Sequence, residues 1–174
     1  MKKKILSILL ILVCILSLAS CDKESLRKSS KMLFVYDGED LAPRLRQCGY
    51  EVEVIESTAQ EGLVGYIYAE RPDTEDVLYY MYFVDVNSAK SMHEYIKNLY
   101  KAKISEKEFE IDKVEYVLYK SEGISAEEKG KYYQRFVELS EELEEIKSIT
   151  YGQSINIVWY GTKQAVNDMK GKTE

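Results

Sequence analysis

The chain predicts an α+β fold, in which an antiparallel sheet carries helices packed on one of its faces. Three observations lead there. Short runs rich in Val, Ile and Tyr alternate with polar residues at a period of two, as strands with one wet face do. Longer stretches place apolar residues every three or four positions, as on one side of a helix. The strands also come in runs instead of alternating singly with helices, which favours an antiparallel sheet over a doubly wound parallel one.

Taken in order, residues 32–36 form an apolar run that suits strand or helix equally. Leu41, Leu45 and Cys48 then fall at helical spacing, with Pro43 tolerated in the first turn and Gly49 placed to end the helix. Val52 and Val54 alternate with Glu51 and Glu53, predicting a strand over 51–56. Strands over 63–69 and 77–86 follow, separated by the turn Arg71-Pro72-Asp73. The second is apolar on both faces and is expected at the centre of the sheet.

Asn87 is a good cap for a helix over 87–100, whose inner face is Ala89, Met92, Ile96 and Leu99. Residues 109–119 read as a strand. Ser125 with Glu128 forms a capping box for a long helix with the stripe Tyr132, Phe136, Leu139, Leu143 and Ile146. A last strand is expected over 155–160, and Thr162 caps a short final helix with Ala165, Val166 and Met169 inward.

Met81-Tyr82-Phe83-Val84 before Ala89 aligns without gaps to Ile157-Val158-Trp159-Tyr160 before Ala165. Each of these strands is preceded by another strand and followed by a helix. This suggests two related strand-to-helix units with their helices on one face of the sheet, an arrangement similar to ferredoxin-like α+β domains.

Residues 1–20 stand apart from the fold. Lys2, Lys3 and Lys4 precede an apolar segment too short to span a bilayer, and small residues follow it. Leu18-Ala19-Ser20-Cys21 resembles the lipobox of bacterial lipoproteins at all four positions. The resemblance implies a diacylglycerol on the Cys21 thiol, cleavage just before it, and anchoring at the extracytoplasmic face of the membrane. Two acyl chains contribute enough, at roughly 0.8 kcal/mol per buried methylene, for stable anchoring. Residues 21–31 then read as a polar tether, and 32–174 as a single α+β domain. Asp22 after the cysteine would imply retention at the inner membrane in an enteric-type sorting system.

The leader removes 20 of 174 residues and three of 24 basic side chains, leaving 154 residues with 21 basic against 30 acidic groups, a net charge of −9. That balance argues against nucleic acid or anionic lipid headgroups as partners. Once Cys14 leaves with the leader and Cys21 is lipidated, Cys48 is the one remaining thiol, so no internal disulfide forms.

Sequence motifs for chemistry are sparse. His93, the single histidine, borders an apolar helix face, and Cys48 continues an apolar stripe, so both read first as packing residues. Cys48 as nucleophile with His93 as base is the catalytic alternative, and requires both in one open cleft. Neither zinc-ligand spacing nor a calcium loop is present, and no cofactor is expected; the glutamates from Glu138 to Glu145 read as a solvated helix face. The tyrosines are the unusual feature. Tyr66 and Tyr68 alternate on one strand, Tyr80 and Tyr82 on the next, predicting a shared aromatic face that packs in the core or binds a ligand. The expected function is a non-catalytic lipoprotein that binds an envelope protein, a peptide or a cell-wall component. An envelope hydrolase using carboxylates or Cys48 with His93 is the alternative, and a transporter's substrate-binding lipoprotein is disfavoured by the short chain.

Overall fold

The computed structural model describes residues 25–34, 37–56 and 60–171. The expected leader 1–20, Cys21 and residues 22–24 of the expected tether lie outside the described residues, as do residues 35 and 36 of the ambiguous apolar run. Five strands form one antiparallel sheet: β1 (Glu51–Glu56), β2 (Leu63–Arg71), β3 (Asp76–Phe83), β4 (Ile149–Ser154) and β5 (Ile157–Thr162), in the order β1-β2-β3-β5-β4. Helical stretches 25–34 and 37–47, together called α1, precede the sheet. The remaining helices are α2 (Val86–Lys120), α3 (Ala126–Ser148) and α4 (Lys163–Met169). The protein is thus α+β with an antiparallel sheet, as its patterning predicts.

The helices, however, divide between the two faces, where one face was expected. Ile67, Ala69, Leu78 and Tyr82 form a core cluster with Phe34, Leu41 and Leu45 of α1 and Ala165, Val166 and Met169 of α4. Met81, Phe83 and Val158 form another with Ala89 and Ile96 of α2. Strands apolar on both sides demand cover on both. Register supplies the rest of the reason. Each unit does run hairpin to helix, but β3 pairs with β5 at Tyr82↔Ile157, so Met81 and its aligned counterpart Ile157 face opposite ways. One residue of register exchanges faces, and α2 and α4 go to opposite sides accordingly.

Residues 109–119, expected as a strand, are the distal half of α2. The helix is 35 residues long, roughly 52 Å at 1.5 Å per residue. Ile104, Ile111, Val114 and Leu118 recur at helical spacing and are half-buried beside α3, whose Leu139 and Leu143 are buried. Lys107 ties the two together through Glu142 at 2.7 Å, and also meets Glu110 at 2.9 Å. The Ser125–Glu128 capping box at the start of α3 is formed as expected. The cap of α2 is Asp85, which accepts from the backbone of Asn87 and Ser88, so Asn87 lies inside the helix.

The helical stretch 25–34 reaches back into the expected tether, where the Ser30 hydroxyl donates to the Val84 carbonyl at 3.0 Å. Residues 37–47 place Pro43 beyond a first turn, so the Glu39 carbonyl lacks the partner a helical N–H would give it. Gly49 ends this helix at φ +87, a conformation glycine adopts without strain.

Candidate functional site

Between α1 and α4, on the face carrying Leu78, Tyr80 and Tyr82, lies an open cleft of about 410 Å³. Its floor comes from Tyr80 of β3 with Ile157 and Trp159 of β5. Tyr80 and Trp159 are direct cross-strand partners, which sets their rings side by side. The Trp159 indole lies over Gly152 of β4: a Cβ there would meet the ring at 2.5 Å, so only glycine lets it lie flat. Asp37, Asp40, Leu41 and Arg44 line one wall, because residues three, four and seven apart share one side of a helix. Met169 and Lys170 at the end of α4 form the other, with the Lys170 ammonium 5.4 Å from the Trp159 ring centre.

The polar groups of the cleft are organised around Asp37. Burial pushes its carboxyl above the usual range, while hydrogen bonds from the Tyr80 and Tyr82 hydroxyls pull the other way. Tyr80 is in turn held far above the normal tyrosine range, first by burial and then by the charge of Asp37, with Arg44 opposing. Its hydroxyl therefore stays protonated and donates. Arg44 is fixed by a 2.7 Å hydrogen bond from its guanidinium to the Met169 carbonyl, which spans the cleft from wall to wall. No salt bridge among the described residues joins Asp37, Asp40, Arg44 or Lys170 to one another.

A polar clamp holds the α4 wall in place. Asp168 accepts from the Tyr50 hydroxyl at 3.0 Å, from the Arg71 guanidinium at 2.9 Å and from Gln164 at 3.0 Å. Arg71 also approaches Asp76 at 3.6 Å and stacks on the Tyr50 ring at 4.3 Å. Buried Asp76 accepts from Thr74 and from Thr162, both at 2.7 Å, and Thr162 caps α4. A buried carboxylate is tolerated when it is paired and hydrogen-bonded in this way.

The tyrosines singled out from sequence do not share a face. Tyr68 pairs with Tyr79 and Tyr66 with Met81, while Tyr80 and Tyr82 pair with Ile67 and Gly65. Tyr80 and Tyr82 thus belong to the cleft face, and Tyr66 and Tyr68 to the other. There a row of directly paired tyrosines crosses four strands, Tyr68, Tyr79, Tyr160 and Tyr151. Ring centres are 4.9 Å apart for Tyr68–Tyr79 and 4.7 Å for the stacked pair Tyr79–Tyr160. Tyr100 of α2 covers Tyr160 and Tyr151 at 6.3 and 6.2 Å. A hydrogen bond from its hydroxyl to Glu70, with some burial, holds the Tyr68 pKa up at about 12.

Cys48 and His93 are not brought together. Cys48 packs against the cluster on the cleft face, whereas His93 of α2 sits 5.8 Å from the Tyr151 ring on the tyrosine face. The sheet separates them, so the thiol–imidazole pair does not form. The acidic end of α3 is partly neutralised, with Glu142 on Lys107 and Arg135, Glu138 on Arg135, and Glu144 on Lys147. Among the described residues no group of three His, Cys, Asp or Glu is placed to hold a metal ion.

Sequence reasoning passed over Asp37, Asp40, Arg44, Trp159 and Lys170. A signal exists for the first three, whose helical spacing puts them beside Leu41, and Trp159 is the single tryptophan of the chain. No protein-family model, curated protein or solved structure matches the chain.

Proposed function

We propose that this chain is a lipoprotein, anchored by a lipid on Cys21 at the extracytoplasmic face of the membrane, whose folded part binds an envelope ligand in the α1–α4 cleft without covalent chemistry. The cleft carries this proposal. It joins an aromatic floor of Tyr80 and Trp159 to hydrogen-bonding groups of both charges, the composition of a small-ligand site. A larger cleft of about 480 Å³ beside β1 also carries charged groups, Glu39, Arg46 and Glu56, but its one aromatic ring, Phe34, is buried in the core and it has no tyrosine or tryptophan.

Trp159 makes the proposal measurable, because the sole tryptophan lies in the cleft floor. Titrating the full-length protein in detergent micelles with a soluble cell-wall digest should change Trp159 emission saturably and release no cleaved product. Heat of binding without any emission change would place the ligand elsewhere, and turnover of the digest would overturn the non-catalytic assignment. The anchor has its own test: Cys21→Ser should abolish incorporation of labelled fatty acid and free the protein from the membrane fraction. Unlabelled wild-type protein found free of the membrane would contradict anchoring.

A further inference from the structure

The two ends of the cleft differ in charge. Asp37 and Asp40 stand one turn apart near the start of the helical stretch 37–47, and Arg44 stands seven residues beyond Asp37, across from Lys170. Seven residues of helix rise about 10 Å. Tyr80 lines the same cleft, its hydroxyl acted on by the charge of Asp37 and, in the opposite sense, by that of Arg44. Asp40 and Lys170 are both exposed, and neither takes part in a salt bridge among the described residues. Two acids and two bases therefore face one cleft without neutralising each other.

A ligand that fits must carry opposite charges at its two ends, with apolar or peptide-like substance between them to lie on Tyr80 and Trp159. Asp40 is only four residues, about 6 Å of rise, from Arg44. An extended peptide spans about 3.3–3.6 Å per residue, so two to three residues with free termini match a separation of about 6 to 10 Å. We infer that the cleft takes a free short peptide of two or three residues, its ammonium at Asp37 and Asp40 and its carboxylate at Arg44 and Lys170. Carboxylate and guanidinium groups hold such termini through charge-assisted hydrogen bonds, roughly twice as strong as neutral ones. The aromatic floor supplies area without reading side-chain identity, so selection falls on length and on the two charged ends. This inference rests on the cleft being the ligand site. A peptide still linked to the cell wall through its N-terminus would lack the ammonium, which separates the two sources of peptide in the envelope.

The test uses the full-length protein and Trp159 emission with tri-alanine, N-acetyl-tri-alanine and tri-alanine amide. Free tri-alanine should give a saturable change, and capping either end should weaken it about tenfold or more. Asp40→Asn should remove the discrimination against the N-acetyl peptide, and Lys170→Gln that against the amide; both side chains are exposed, so the fold tolerates the changes. If the capped peptides change Trp159 emission with the affinity of the free one, the two-ended assignment is overturned while the cleft stands as a ligand site. If the N-acetyl peptide alone matches the free one, the ligand is the wall-linked form and the free-peptide inference fails. If neither emission nor heat changes with any of the three, a peptide ligand is excluded.

Discussion

The two faces of the sheet use the same residue type for different ends. On the α2 face, Tyr68, Tyr79 and Tyr160 meet ring to ring, and Tyr100 of the helix touches the rings of both Tyr160 and Tyr151. On the α1–α4 face, the hydroxyls of Tyr80 and Tyr82 interact with the Asp37 carboxylate, and Tyr80 lines a cleft that also holds charged side chains. The difference comes from the covering helix. α2 lays Ala89, Ile96 and Tyr100 on its strands, whereas α1 presents Asp37, Asp40 and Arg44 and stops short of α4, leaving a gap. A tyrosine gives apolar area with a hydrogen-bonding tip, and its neighbours decide which half matters.

The largest expected effect comes from breaking the clamp that holds the cleft wall. Asp168→Ala strips Arg71 and Tyr50 of their shared acceptor and leaves a mostly buried guanidinium partly unpaired, at a cost of about 3 kcal/mol. Chemical denaturation should show that loss, with the midpoint falling and the slope unchanged. A loss below about 0.5 kcal/mol would mean that α4 is held by its apolar contacts alone.

The β4–β5 hairpin beside the cleft should respond in the other direction. Ile155 sits at φ +50 in its two-residue turn and is exposed, a conformation that β-branched residues avoid. Ile155→Gly should stabilise the protein by about 1 kcal/mol, measured as a rise in the unfolding midpoint. Destabilisation would show that the isoleucine side chain makes contacts that outweigh the strain.

Neighbouring tyrosines sharpen the comparison further. Tyr80→Phe removes the hydroxyl that interacts with Asp37 and should cost about 1 kcal/mol. Tyr79→Phe keeps both of its ring contacts and should stay within about 0.5 kcal/mol of the parent. Equal effects in equilibrium unfolding would erase the distinction between the faces.

The smallest effect is one of pH. A carboxyl whose folded pKa lies above its unfolded value binds more protons when folded, so stability falls as pH rises between the two values. Asp37 is such a group. In unfolding midpoints measured upward from the ordinary aspartate range, the parent should lose stability relative to Asp37→Asn. A parent that gains on the variant would reverse the sign of the shift.

Much of the fold is legible in the sequence where local chemistry decides it. The start of β1 follows from the Glu/Val alternation of residues 51–54, and the caps Ser125 and Thr162 have side chains that bond the first turn they precede. What depends on a distant partner is not. Residues 109–119 carry enough Tyr, Val and Ile to resemble a strand, and only the facing stripe of α3 makes them helical. Ile155 reads as strand but turns the chain, so β4 before it is hard to place. The shared tyrosine face fails on register: residues 72–75 turn the chain so that Arg71 pairs with Asp76, and Tyr66 and Tyr68 of β2 then meet Met81 and Tyr79 of β3. The cleft needs α1, α4 and two strands at once, so its charged residues look like ordinary surface when read in line.

The division of labour between the faces is tested most directly by the amide and indole resonances of the isotope-labelled protein during titration with a soluble cell-wall digest. Trp159, as the sole tryptophan, gives one indole signal. Binding in the cleft predicts saturable shifts at that signal and at the amides of Asp37, Arg44 and Tyr80, while Tyr79, Tyr100 and Tyr151 hold still. Shifts confined to Tyr100, Tyr151 and His93, with the Trp159 indole unmoved, would put the ligand on the tyrosine face and contradict the account.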